Sequence, residues 1–143
     1  IVSDYSETAL FGENLTVEGL TENNAHIGDT FSFGEAVIQI SEPRNPCHKL
    51  ATKYDVPDMV IRVRDSGYTG FYLRVLKEGT VKPGDNLVLI EPDPHQVSVA
   101  LVNDVTFFDR HHKENLEKVL KVDALSEGYR ESLLKQYEKV RLL

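Results

Sequence analysis

The sequence predicts a mainly β fold with a helical appendage at its C-terminal end. Three observations point there. Short β-branched and aromatic runs separated by Gly/Pro turns fill the first two-thirds of the chain. Two prolines in Glu91-Pro92-Asp93-Pro94 then interrupt any ladder or helix interior. Beyond them the apolar spacing lengthens to three and four residues. Several short strands joined by tight turns argue for a barrel or a sandwich.

Taken in order, Asn14–Val17 is a short strand candidate after Gly12. Thr30–Ile40 alternates, with Phe31 and Phe33, then Ala36, Ile38 and Ile40, on same-side positions and Gly34 marking a turn or bulge. Asp58–Arg64, Gly70–Leu76 and Asn86–Ile90 read as further strands. In Lys82-Pro83-Gly84-Asp85, proline presets φ for the first central position and glycine accepts the positive φ of a type II turn. From about residue 96 onward, Val97, Leu101, Val105 and Phe108 share one helix face, although Val97, Val99 and Leu101 also alternate. Leu116, Val119 and Leu120 repeat helical spacing, as do Tyr129, Leu133, Tyr137 and Val140. Ser126 before Glu127 is an N-cap candidate. These three helices are too short to stand alone and must pack on one another or on the β region.

With 143 residues, 41% hydrophobic and 27% charged, the chain has an ordinary globular composition. No apolar run approaches the roughly 20 residues of a membrane helix, and no basic stretch precedes an apolar run as in a signal peptide. The start, Ile1-Val2-Ser3-Asp4, has no Met and no strand or helix pattern, which fits processing or an incomplete chain. The single cysteine, Cys47, excludes an internal disulfide and a C-x-x-C pair and points to a reducing, cytoplasmic compartment. The net charge of −7 argues against a general nucleic-acid binder. Its distribution is uneven. Residues 1–43 hold eight acidic residues and no Lys or Arg, whereas residues 44–82 hold eight basic against four acidic ones. That excess is either a pocket for an anion such as phosphate or a set of solvated faces.

The chemistry concentrates in Ser41-Glu42-Pro43-Arg44-Asn45-Pro46-Cys47-His48-Lys49-Leu50. Two prolines frame Arg44, and Pro46 precedes the cysteine. Arg44, Lys49 and His48 can place positive charge near the sulfur. Cations favour the thiolate, the form that attacks electrophiles and binds soft metals. The plainer alternative is an inert thiol beside solvated charges. A Cys47–His48 acyl-transfer dyad is disfavoured, because sequence neighbours rarely point at each other. His111 and His112 lie in a charged linker, where solvation is the simpler reading.

These segments resemble a known family. Phe11-Gly12-Glu13-Asn14-Leu15-Thr16, Ile27-Gly28-Asp29, Pro43-Arg44-Asn45-Pro46-Cys47-His48-Lys49-Leu50, Ser66 to Leu76 and Gly79-Thr80-Val81-Lys82-Pro83-Gly84-Asp85 are similar, in order and spacing, to the MOSC domain in its stand-alone bacterial YiiM-like branch. The resemblance implies a pyruvate-kinase-type β-barrel over residues 1–92, incomplete at its N-terminus, and a three-helix extension over residues 96–143. Family members carry an N-terminal section with barrel strands and a His-Gly-Gly motif before Phe-Gly-Glu-Asn, so the chain is expected to be a fragment. A dimer, or association with such a segment, would complete the barrel.

The resemblance also implies a site. Cys47 falls on the family cysteine and becomes the catalytic residue and molybdenum ligand. Asn14, Arg44, Lys49, Gly70 and Phe71 are the cofactor-binding candidates, for a molybdenum cofactor of the Mo-pterin type. The implied activity is an oxidoreductase acting on N-hydroxylated or N-oxygenated small molecules, with an electron-donor protein as partner and neither nucleic acid nor membrane involved. A sulfur carrier or sulfurtransferase with a persulfide on Cys47 is the alternative. Pyridoxal phosphate would belong to full-length sulfurases, whose extra domain this chain lacks the length to hold. A non-catalytic β-barrel interaction module is the third reading. The cofactor reading expects Cys47 at a cleft with Arg44 within a few ångströms and Asn14 on the facing wall.

Overall fold

A computed structural model describes residues 10–143. Four strands form one antiparallel sheet in the order β3-β2-β1-β4. They are β1 (Thr30–Phe33), β2 (Ala36–Pro43), β3 (Phe71–Lys77) and β4 (Leu87–Glu91). Helices α1 (His48–Tyr54) and α2 (Met59–Ser66) lie between β2 and β3. Helices α3 (Val99–Phe107), α4 (Lys113–Leu120) and α5 (Glu127–Arg141) follow the sheet. The outcome is the expected sheet core with a helical appendage.

The hairpin β1–β2 forms as its alternation predicts. Phe31 pairs with Ile38 and Phe33 with Ala36, and all four are buried. Gly34 takes φ +55° in the turn between them. Lys82–Asp85 also closes as expected, with Gly84 at φ +91° and the Asp85 N–H donating to the Lys82 carbonyl at 3.1 Å. Strand β2 carries a bulge at Ser41, because Ile40 pairs with Leu73 but Glu42 with Tyr72. The irregularity is satisfied locally: Ser41 Oγ donates to the Tyr72 carbonyl at 3.1 Å, and the Ser41 carbonyl accepts from Ser126 N–H at 3.1 Å.

Two strand expectations fail. Asp58–Arg64 is not a strand but most of helix α2. Its Val60, Ile61 and Val63 look β-forming, yet Ile61 is exposed and only Met59 of the helix is buried, so no pleated face exists for them. Helix punctuation decides instead. Gly67 supplies a left-handed C-cap at φ +75°, and Arg62 pairs with Asp58 one turn earlier at 2.8 Å. Asn14–Val17 forms no strand either, and its side chains are exposed, leaving nothing for an alternating pattern to bury. The stretch after Cys47, for which the residues gave no helix pattern, forms α1.

Helices α4 and α5 match their spacing, whereas α3 turns a different face inward: Val102 and Val105 are buried, Leu101 is half-buried and Phe108 is an exposed C-cap, so the expected stripe of Val97, Leu101, Val105 and Phe108 does not form. Val102 and Val105 of α3, Leu116 and Val119 of α4, and Tyr129 and Leu133 of α5 join Phe31, Phe33, Ile38 and Ile40 in one continuous core. Fully burying each such aliphatic side chain contributes about 1.5–3 kcal/mol. Helix α3 starts at Val99 rather than Val97, so the alternating reading of Val97 and Val99 holds at its entry; both are fully buried. Ser126 does occupy the N-cap of α5, but it makes no side-chain capping bond and its hydroxyl is buried without a partner among the described residues. Strands β3 and β4 are the sheet edges and expose Tyr72, Val75, Leu76, Val88, Leu89 and Ile90. Among the described residues, no helix is long and apolar enough to cross a membrane.

The loop after β3 docks on the β1–β2 turn. Glu35 N–H donates to the Thr80 carbonyl at 3.1 Å, and the approach is close enough that a Cβ on Gly79 would sit 2.4 Å from the Glu35 carbonyl carbon. Gly79→Ala is therefore expected to destabilise the protein by about 1–3 kcal/mol in urea denaturation. Gly128→Ala, in the open first turn of α5 with nothing within 4 Å, should instead stabilise by up to about 1 kcal/mol. Equal effects at the two positions would contradict this packing.

Candidate functional site

The candidate site begins where β2 ends. Pro43 is buried and pairs with Phe71; lacking an N–H, it suits the last ladder position. Arg44 N–H then donates to the Gly70 carbonyl at 2.9 Å, extending the strand pairing by one bond. Gly70 has φ +78°, a left-handed conformation that side chains resist, and a Cβ built there would lie about 4 Å from Arg44 Cβ and Cδ. Arg44, Gly70 and Phe71 are thus brought together.

Gly70 is held from both sides. Its N–H donates to Glu22 Oε1 at 2.8 Å, and its carbonyl also accepts from Thr69 Oγ1 at 2.9 Å. Thr69 Oγ1 in turn accepts from Asn103 Nδ2 of α3 at 3.0 Å. Glu22, Thr69 and Asn103 are all buried. Buried polar groups of this kind are costly unless paired, which makes the arrangement specific.

Cys47 occupies the N-cap position of α1 in extended conformation, with a half-buried free thiol that makes no capping bond. Lys49 stands exposed in the first turn of the same helix. The Arg44 guanidinium is partly engaged, since Nη1 donates to the Phe11 carbonyl at 2.5 Å. Tyr54, at the end of α1, donates its hydroxyl to the Leu10 carbonyl. Two donors from the cysteine segment therefore hold consecutive carbonyls just before Gly12-Glu13-Asn14.

Asn14 is placed elsewhere. It lines a cavity of about 1070 Å³ with Phe31, Phe33 and the 81–87 turn, and that cavity includes neither Arg44 nor Cys47. Its neighbour Glu13 is the residue coupled to the site. Its slight burial pushes the carboxyl pKa up. The N–H groups of Glu13 and Phe11, the Thr16 hydroxyl and the Arg44 charge outweigh that and hold it below the usual glutamate value.

The basic excess also sorts itself out. Arg62 and Arg64 pair on the surface with Asp58 and Asp65. Arg74 donates to Gln39 Oε1 at 3.0 Å and the Ala124 carbonyl at 2.7 Å, tying sheet to helices. Lys53 lies over the Tyr54 ring at 5.1 Å. Arg44 and Lys49 remain as the cations of the Cys47 segment. Glu22, Tyr54, Thr69 and Asn103 were not singled out; of the missed residues, Glu13, inside Phe11-Gly12-Glu13-Asn14, and Thr69, inside the Ser66 to Leu76 stretch, lie in visible motifs. No cluster of three or more His, Cys, Asp or Glu suited to a metal occurs among the described residues.

This frame coincides with a known class of domain. The MOSC domain matches residues 4–88, and the chain belongs to that family. It is 48% identical over 132 residues to the uncharacterised protein YflK of Bacillus subtilis, covering 92% of this chain and 60% of that protein. It is 42% identical over 80 residues to Protein YiiM of Escherichia coli, covering 56% of this chain and 36% of that one. A protein named reductase from Gibberella moniliformis is 36% identical over 89 residues, 62% of this chain and 16% of its own length. Among solved structures, YiiM from Geobacillus stearothermophilus superposes with TM-score 0.89 at 38% identity, covering 92% of this chain and 67% of that one. The chain thus spans about 60% of YflK and about a third of the Escherichia coli protein.

The Glu13–Arg44 coupling can be read directly. Because the folded pKa of Glu13 is depressed, its contribution to stability is present above the unfolded value and lost as pH falls through the folded one. Carboxyl titration followed by NMR should place Glu13 below an ordinary glutamate. Arg44→Ala should move that titration upward, and an unchanged Glu13 would contradict the coupling.

Proposed function

We propose that this MOSC protein binds a molybdenum cofactor and serves as a reductase of N-hydroxylated or N-oxygenated compounds, with the Cys47 thiolate as a ligand to the metal. The observation that carries the reading is the half-buried thiol of Cys47, without a hydrogen-bond partner among the described residues, three residues after Arg44, whose own backbone is pinned to Gly70. The reductase name of one distant relative is consistent with it.

The donor set fits the group. A thiolate is a soft ligand of the kind such a metal takes, and a half-buried one can be approached from solvent. Arg44 carries five N–H donors, of which the Phe11 carbonyl engages Nη1. The rest have no hydrogen-bond partner among the described residues and could hold a phosphate or pterin oxygen, with Lys49 adding an exposed point charge. When bound, the cofactor supplies two-electron redox chemistry. The chain's own part is to hold and orient. Gly70, clamped by Glu22 and Thr69, fixes the Arg44 backbone, and Pro46 restricts the approach to Cys47. The net reaction adds two electrons and two protons across an N–O bond, releasing the reduced nitrogen compound and water. In this reading the electrons come from a donor protein.

The test is molybdenum content and turnover of an N-hydroxylated base, with a supplied electron donor, in protein produced alongside the cofactor. Cys47→Ser should lower turnover by orders of magnitude while leaving the fold intact. Arg44→Ala should weaken cofactor retention about 10- to 100-fold, a charge-assisted contact being worth roughly 1.5–3 kcal/mol. Full activity in Cys47→Ser would remove the thiolate from the mechanism. Cyanide-labile sulfur on Cys47 without molybdenum would make the protein a sulfur carrier instead.

A further inference from the structure

A second cleft, of about 180 Å³, opens between the α2–β3 loop and α3. Neither Cys47 nor Arg44 lines it, and none of its lining residues is basic. Its one charged group is Asp104, a half-buried carboxylate with no side-chain hydrogen bond or ion pair to any described residue. Beside it lies Asn103, only 4% exposed. Its Nδ2 is committed to Thr69, while its Oδ1 is buried without a hydrogen-bond partner among the described residues. Asn23 and Ser66 add polar atoms to the lining. Two aromatic residues, Tyr68 and Phe108, complete it and leave 64% and 54% of their surface exposed.

We propose that this cleft binds a small organic cation of the amidinium or guanidinium type. The electrostatics select the sign. An unpaired carboxylate with no competing Lys or Arg attracts a cation and repels an anion. The leftover acceptor selects a donor-bearing cation, because an amide oxygen buried without a partner gains most from a ligand N–H, once the cleft adjusts to admit one. The rings favour a delocalised planar charge, which stacks on aromatic faces. A volume of 180 Å³ accommodates one such group with a short substituent and excludes a nucleotide. The cleft is also mechanically linked to the candidate site. Asn103 holds Thr69, and Thr69 holds the Gly70 carbonyl that Arg44 uses. Occupancy therefore bears on the Gly70 segment, although the binding itself does not depend on the molybdenum reading.

The test is an NMR titration of the whole chain with benzamidinium, with benzoate and benzyl alcohol as anionic and neutral analogues. Benzamidinium should shift the amide signals of Gly67 and Thr69 and the Asn103 side-chain amide, and the analogues should not. Asp104→Asn should weaken benzamidinium about tenfold or more, with the remaining spectrum unchanged, because that carboxylate has no partner among the described residues to lose. Added salt should weaken binding to the wild-type chain, an arm that stands whether or not the variant folds. N-acetylarginine amide serves as a second probe: tighter binding than benzamidinium assigns the cleft to a partner's arginine, and weaker binding to a free small molecule. Equal binding of benzoate, no shift with either cation, or undiminished affinity in a folded Asp104→Asn would overturn the proposal.

Discussion

The antiparallel pairing of β2 with β3 fixes where Arg44, Gly70 and Phe71 stand and where the Cys47 segment begins. It runs from Val37–Lys77 to Pro43–Phe71 and is continued by the bond from Arg44 N–H to the Gly70 carbonyl. Cys47 lies three residues beyond that last bond, with Pro46 restricting the backbone between them. A slip of one residue would turn Ile38 and Ile40 out of the core, so the buried face protects the register. The Ser41 bulge changes the phase of β2 just before the site and binds its carbonyl to the start of α5. The helical region is therefore part of what holds the site in place.

The buried polar groups around Gly70 serve a different purpose from the apolar core. Net contributions of single hydrogen bonds are modest, about 0.5–1.5 kcal/mol each. Their value here lies in direction. Glu22, Thr69 and Arg44 occupy the N–H and carbonyl of one glycine at positive φ, leaving its peptide few alternatives. Loss of any one leaves a buried group unsatisfied, which penalises competing conformations more than its presence stabilises this one.

Much of this was legible in the residues. Alternation along Thr30–Ile40 gave the β1–β2 hairpin and the spacing of Leu116, Val119, Tyr129 and Leu133 gave two helices, because in both cases the pattern matches a face that is buried; the exposed Pro83-Gly84 turn between β3 and β4 followed from backbone preference instead. Val60, Ile61 and Val63 misled for the opposite reason: their helix is largely exposed, so β-branching was never tested by packing and the caps decided. Arg44, Gly70 and Phe71, which the family resemblance names together, are neighbours at the end of the β2–β3 pairing. Asn14 was not legible, since no periodicity orders the exposed segment around it. Glu22 and Thr69 act through contacts 48 and 34 residues away in sequence, which no local pattern reveals.

The proposed function turns on Cys47 presenting its sulfur to a metal. X-ray absorption at the molybdenum edge, on cofactor-loaded protein with and without Cys47→Ser, reads that claim at the bond itself. One fewer sulfur neighbour is expected around molybdenum in the serine variant, with the cofactor's own sulfur ligands unchanged. Identical sulfur coordination in the two proteins would contradict it.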